Sequence, residues 1–207
     1  MAADYKPHAR LTRAESKQRT RELLLEAAAA VFARVGFAAA SLEQVAEEAG
    51  FSKGAVYSNF AGKDDLFLAL LDQRLTRYDE DWLRIFAEGT STATRLSGTE
   101  QLLARETGAD RSWTMLELEF ILYALREESA RVKLVERYRG VREAMAAALR
   151  QHEAETGVAM PLPVRALSWL FPALALGLDI HLHLDPLRPD DLWSDAIKQL
   201  LTQHEPE

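Results

Sequence analysis

Apolar side chains recur every three to four positions along almost the whole chain, and no segment alternates as a half-buried strand would. The pattern predicts an all-α fold of about nine helices. A first helix over about 15–35 carries a stripe of Leu24, Ala28, Val31 and Val35, flanked by Leu23, Ala27 and Phe32, and Gly36 stops it. Two short helices share 41–60. A longer one starts near Lys63 and runs to about 88 through Leu66, Leu70, Trp82 and Phe86. The run GTSTATRLSG at 89–98 is rich in Ser, Thr and Gly and reads as a loop. A short helix at 100–106 follows, then helices at 111–128, 130–155, 163–184 and 189–203, with a break at 157–161.

The stretch 41–60 has the most specific local signals. Ser41 and Gln44 make a capping box. Leu42, Val45, Ala46 and Ala49 then give one apolar face, and Gly50 is a left-handed stop. Phe51 plugs the turn and Ser52 caps the next helix. A short helix, a glycine turn and a second short helix form the helix-turn-helix pattern. In the second helix, 53–60, Val56 and Phe60 share the inward face. The opposite face falls on Gly54 and Ser58, flanked by Ala55 and Tyr57. Small side chains let a helix backbone approach base edges in a major groove. Ser52, Lys53, Tyr57 and Lys63 can donate to phosphates. An ordinary αα corner with a solvated face would carry the same geometry.

The run GFSKGAVYSNFAGKDDL at 50–66 resembles the signature of the TetR/AcrR (tetracycline-repressor) family of bacterial regulators, as does TRELLLEAAAAVFARVGFAAASLEQVAEEAG before it. The resemblance is continuous from about 20 to 71 and keeps the order and spacing of every element. It implies a three-helix DNA-binding domain over 1–62 and an effector-binding and dimerisation domain over 63–207. It implies that 52–60 reads the major groove and that Ser41, Tyr57 and Lys63 clamp phosphates. Gly54, Ala55, Ser58 and Asn59 would lie at or near bases. Such a protein is a dimeric repressor released from a palindromic operator by a small molecule. The alternative is a helical dimeric sensor with a non-DNA-binding or activating head.

Charge localises the expected DNA contact. The 207-residue chain has a net charge of −7, which disfavours meeting DNA over its whole surface. Residues 1–63 hold nine Lys/Arg against seven Asp/Glu, whereas 64–207 hold sixteen against twenty-five. Arg10, Arg13, Lys17, Arg19 and Arg21 form a basic arm leading into the first helix. The lack of cysteine excludes disulfides and thiolate chemistry. The N-terminus has no apolar signal core, and the longest apolar run, 169–178, is shorter than the ~20 residues that span a bilayer. The expectation is a cytoplasmic protein with no membrane partner.

The segment 163–184 is apolar nearly all round, so it must be buried on more than one side. Its Trp169, Leu170, Leu174, Leu178 and Leu182, with Trp193, Ile197 and Leu200 of 189–203, are expected to form a homodimer interface, as in the regulators the chain resembles. Pro172 is expected to kink the helix. A two-fold dimer doubles the contacts on a palindrome. Trp82, Phe86, Trp113, Phe120, Tyr123, Arg126 and His181 are candidates for an unidentified small-molecule effector, although aromatic stripes also serve as plain core. In the resembled family, a ligand there moves the helix starting at Lys63 and respaces the DNA-reading heads. His181 and His183 are two residues apart and face different ways. No histidine follows a Glu by three, as a di-iron bundle needs, and neither a phosphate-cradling loop nor a nucleophile elbow occurs. No metal, cofactor or catalysis is expected.

Overall fold

The computed structural model describes residues 12–85, 87, 90–106, 110–157, 159–160 and 162–185. Every regular element among them is a helix: α1 Arg13–Ala39, α2 Leu42–Ala49, α3 Lys53–Tyr57, α4 Lys63–Ile85, α5 Thr92–Glu106, α6 Arg111–Ala124, α7 Glu128–Thr156 and α8 Val164–Leu184. The expected helix at 189–203 lies outside the described residues. The chain divides into two compact units, Met1–Leu70 and Leu71–Glu207, and the division falls within α4.

In the first unit α1 packs on α2, and α2 on α3. α1 starts two residues earlier than expected because Thr12 and Glu15 form a capping box. Leu24, Leu25, Ala27, Ala28, Val31 and Phe32 are buried along its stripe. Fully burying such a leucine or phenylalanine contributes about 1.5–3 kcal/mol. Gly36 interrupts the helix at φ 77°, a backbone state that a Cβ would strain. Val35 is left exposed at this break. The turn carries Phe37 into the core, its ring 5.9 Å from those of Phe32 and Phe67. Leu42, Val45, Ala46, Val56 and Phe60 complete the interior, as the apolar pattern required.

In the second unit α6 packs on α7, and α8 packs on both. The expected loop at 89–98 is largely helix, because α5 begins at Thr92. Ser91 acts as its cap: the Ser91 hydroxyl accepts from the Thr94 N–H at 3.2 Å, and the Arg95 N–H donates to the Ser91 carbonyl at 3.0 Å. The Ser/Thr run thus marked a helix start. A Cβ at Gly98 would come within 2.9 Å of the Ile85 side chain, so the glycine permits a close approach. α6 ends at Ala124, before the expected 128, and a turn through Leu125 and Arg126 leads into α7. Gly157, at φ 72°, caps α7 by donating to the Glu153 carbonyl. α8 continues through Pro172, and only Leu167 and Ser168 of its residues are buried.

Candidate nucleic-acid interface

The start of α2 is fixed reciprocally. The Ser41 hydroxyl accepts from the Gln44 N–H at 3.2 Å, and the Ser41 N–H donates to the Gln44 side chain at 2.9 Å. α2 ends in a left-handed Gly50, φ 70°, after which the Phe51 N–H donates to the Ala46 carbonyl at 2.9 Å. Ser52 then caps α3, its hydroxyl accepting from the Ala55 N–H at 3.3 Å. Val56 and Phe60 are buried beneath, so α3 packs by its inner face.

The outer face of α3 is bare. Ser52, Lys53, Gly54, Tyr57 and Ser58 are exposed, and Ala55 is half-buried. A Cβ at Gly54 would meet only the Ser52 hydroxyl, at 3.8 Å. Nothing among the described residues therefore demands a glycine there. Tyr57 is 52% exposed, large for an aromatic side chain. α3 is shorter than the expected 53–60 because its own side chains close it: Ser58 and Asn59 both donate to the Ala55 carbonyl, at 2.9 and 2.8 Å. The Asn59 amide is thereby committed to the end of α3 and turned away from the open face.

Two basic residues brace this unit. Lys63 donates to the carbonyls of Ala38 and Ala40, both at 3.0 Å, and lies 4.6 Å from the Phe37 ring centroid. Arg21 donates to the Asn59 carbonyl at 2.8 Å and lies 4.2 Å from the Phe60 ring centroid. Arg13, Lys17 and Arg19 are exposed on the first turns of α1; Arg10 lies outside the described residues. Lys53 forms an ion pair with Glu43, a residue sequence reasoning passed over because a charged helix start reads as ordinary capping.

The candidate effector residues scatter. Trp113 is half-buried, and its indole N–H donates to Glu117 at 3.0 Å. The Tyr138 hydroxyl donates to the other Glu117 oxygen at 2.7 Å. Burial, and then the Glu117 charge, push the Tyr138 hydroxyl well above the usual phenol range. Glu117 was missed, though its spacing of four from Trp113 on one helix was a readable signal. Phe120 is fully buried and its ring lies 5.9 Å from that of the half-buried Tyr123. Arg126 and His181 are exposed. Trp82 lies on α4, with its side chain outside the described residues, as is Phe86 entirely.

Of the candidate dimer residues, Trp169, Leu170 and Leu174 are exposed, while Leu178 and Leu182 are half-buried. Trp193, Ile197 and Leu200 lie outside the described residues. Arg142 lies 4.0 Å from the Trp169 ring centroid. Contrary to the expectation from the run 169–178, α8 as a whole is long and apolar enough to cross a membrane by length and composition. It is nonetheless tied sideways to α6: Thr114 hydrogen-bonds Asp179, and its hydroxyl lies 3.2 Å from His183.

Residues 24–70 match the profile of the bacterial regulatory proteins of the tetR family. The chain is 30% identical over 129 residues to YfiR, an uncharacterized HTH-type transcriptional regulator of Bacillus subtilis, with 60% of each chain covered. It is 44% identical over 66 residues to TtgW, an uncharacterized HTH-type transcriptional regulator of Pseudomonas putida, covering 32% of this chain and 48% of that one. The chain thus spans less than two thirds of either relative's length. Among solved structures, the SmeT–triclosan complex shares the fold, with a TM-score of 0.68 at 20% identity over 87% of this chain and 90% of that one. The capped helix pair and its glycine turn lie inside the matched segment, so over residues 24–70 the chain carries the domain of the tetR family of bacterial regulatory proteins.

Proposed function

We propose that the chain is a sequence-specific DNA-binding transcriptional regulator of the bacterial cytoplasm, a homodimeric repressor on palindromic DNA that a small-molecule effector releases. The observation that carries this reading is the bare outer face of α3. An added Cβ at Gly54 would meet only the Ser52 hydroxyl, at 3.8 Å, while Ser52, Lys53 and Tyr57 stand exposed around it. A backbone with no side chain in the way can approach base edges closely, and flanking donors can take phosphates. The capped start of α2 at Ser41 adds N–H groups of the kind that bind anions.

The homodimer is supported by α8, whose Trp169, Leu170 and Leu174 are exposed among the described residues, Trp169 with Arg142 on its ring. A row of large apolar side chains of this kind marks an interaction surface. The effector is supported by Glu117, a half-buried carboxylate held by two neutral donors, Trp113 and Tyr138. The fold neighbour SmeT, solved with triclosan, accords with a small molecule as trigger.

The test is selection of duplexes from a random-sequence library by the full-length protein, followed by titration across salt. Wild type should enrich a palindrome and bind it with affinity that falls steeply as salt rises. Lys53→Ala should weaken all duplexes alike and reduce the salt slope by about 1. Leu174→Glu should yield folded monomers that bind the palindrome poorly. Enrichment of no sequence by wild type would sink the regulator reading.

A further inference from the structure

Lys53 is the first residue of α3, and Glu43 lies in the first turn of α2. Their side chains form an ion pair at the surface, joining the starts of the two short helices. Both side chains are more than half exposed. The Lys53 ammonium, first among its causes, holds the Glu43 carboxyl below the usual carboxylate range, and Glu43 holds the Lys53 ammonium above its own. The ammonium also lies 5.9 Å from the Tyr57 ring centroid. An acid therefore stands at the edge of the bare face, on the very cation a phosphate would take.

Resting on the DNA-binding reading above, we infer that Glu43 is an intramolecular competitor for Lys53 that sets how tightly the head binds DNA. A phosphate that recruits Lys53 must first displace the Glu43 carboxylate, and it then sits beside the displaced negative charge. Both steps oppose binding. Removing the carboxylate relieves both, whereas removing it from a chain that already lacks Lys53 relieves only the second. The opposite role, a staple that holds α2 to α3 for binding, predicts the opposite sign.

The experiment uses the full-length chain and a duplex that wild type has selected from a random library. Glu43→Gln, Lys53→Ala and the double variant are titrated against it at several potassium chloride concentrations. Glu43→Gln should bind about two- to five-fold tighter at low salt, the range of a surface ion pair. The gain should be smaller in the Lys53→Ala background. Both side chains are exposed, and circular dichroism should give all variants the wild-type spectrum. Weaker or unchanged binding by Glu43→Gln overturns the inference, and so does an equal gain in both backgrounds. In those cases the regulator reading stands, because wild type still selects its duplex. A wild type that selects none overturns that reading itself, and the inference with it.

Discussion

The two compact units bury different things. Up to Leu70 the buried side chains are apolar, and hydroxyls, amides and charges sit at helix ends or on the surface. Beyond Leu71 the interior also holds Arg95, Thr99, Thr114, His152 and Ser168. Arg95 is the extreme case: 1% exposed, it pairs with Glu155 and lies 3.1 Å from His152. An apolar core leaves a unit's polar groups available to something outside. A polar interior commits them to one another and ties particular helices together. Among the described residues, the first unit keeps most of its polar groups at its surface, and the second holds several of its own inside.

The largest expected effect tests the apolar half of that contrast. Phe60 is fully buried under the end of α3 and carries the Arg21 guanidinium on its ring. Phe60→Ala should destabilise the first unit by about 3–5 kcal/mol, from lost transfer energy plus the cavity left behind. Arg95→Met removes an equally buried side chain of similar length. It should cost clearly less, because the carboxylate left behind is not a trapped charge: the Glu155 side chain is 29% exposed and can turn to water. Urea unfolding of the two variants checks the order. If Arg95→Met proves the more damaging, the polar interior is the stronger of the two and the contrast reverses.

The same difference explains what could be read from the chain. The helix-turn-helix was legible because its signals are local. Ser41 with Gln44, Gly50, and Ser52 with Ala55 each act within three residues. Their roles did not depend on the rest of the fold. The first half of α5 was misread as a loop, with a helix expected only at 100–106, because its anchor, Arg95, finds its partners 57 and 60 residues away. Glu117 looked like a solvated helix residue until Tyr138, 21 positions on, closed over it. Lys63 shows the limit within the legible unit. Its position beside the motif was plain, but its hold on the Ala38 and Ala40 carbonyls depends on how α1 ends.

A pH dependence should separate the units next. Burial first, and the Arg95 charge second, hold the His152 imidazole below its ordinary value of 6.5. The folded chain therefore binds that proton less readily than the unfolded chain. The stabilisation is fully present above about pH 6.5 and is lost as pH falls from there toward the folded value. The first unit has no histidine among its described residues. Between about pH 7 and 5.5, where ordinary carboxylates stay charged, the urea midpoint of wild type should drop more than that of His152→Gln. Parallel profiles would show that the buried cluster does not sense acid.

The smallest effect on stability is the most direct test of the bare face. Gly54 adopts ordinary helical backbone, and an added methyl would meet only the Ser52 hydroxyl at 3.8 Å. By itself Gly54→Ala should stabilise the free protein, by up to about 1 kcal/mol, because alanine loses less backbone entropy in a helix. If α3 enters a major groove, the same methyl stands between its backbone and the base edges. Affinity for the selected duplex should then fall by about tenfold, or ~1.4 kcal/mol, while the melting temperature holds or rises. A loss of binding with no loss of fold would then come from outside the fold, since among the described residues an added methyl meets only the Ser52 hydroxyl, at ordinary contact distance. An unchanged affinity would mean that no base approaches Gly54, and the outer face of α3 would be no more than a solvated corner.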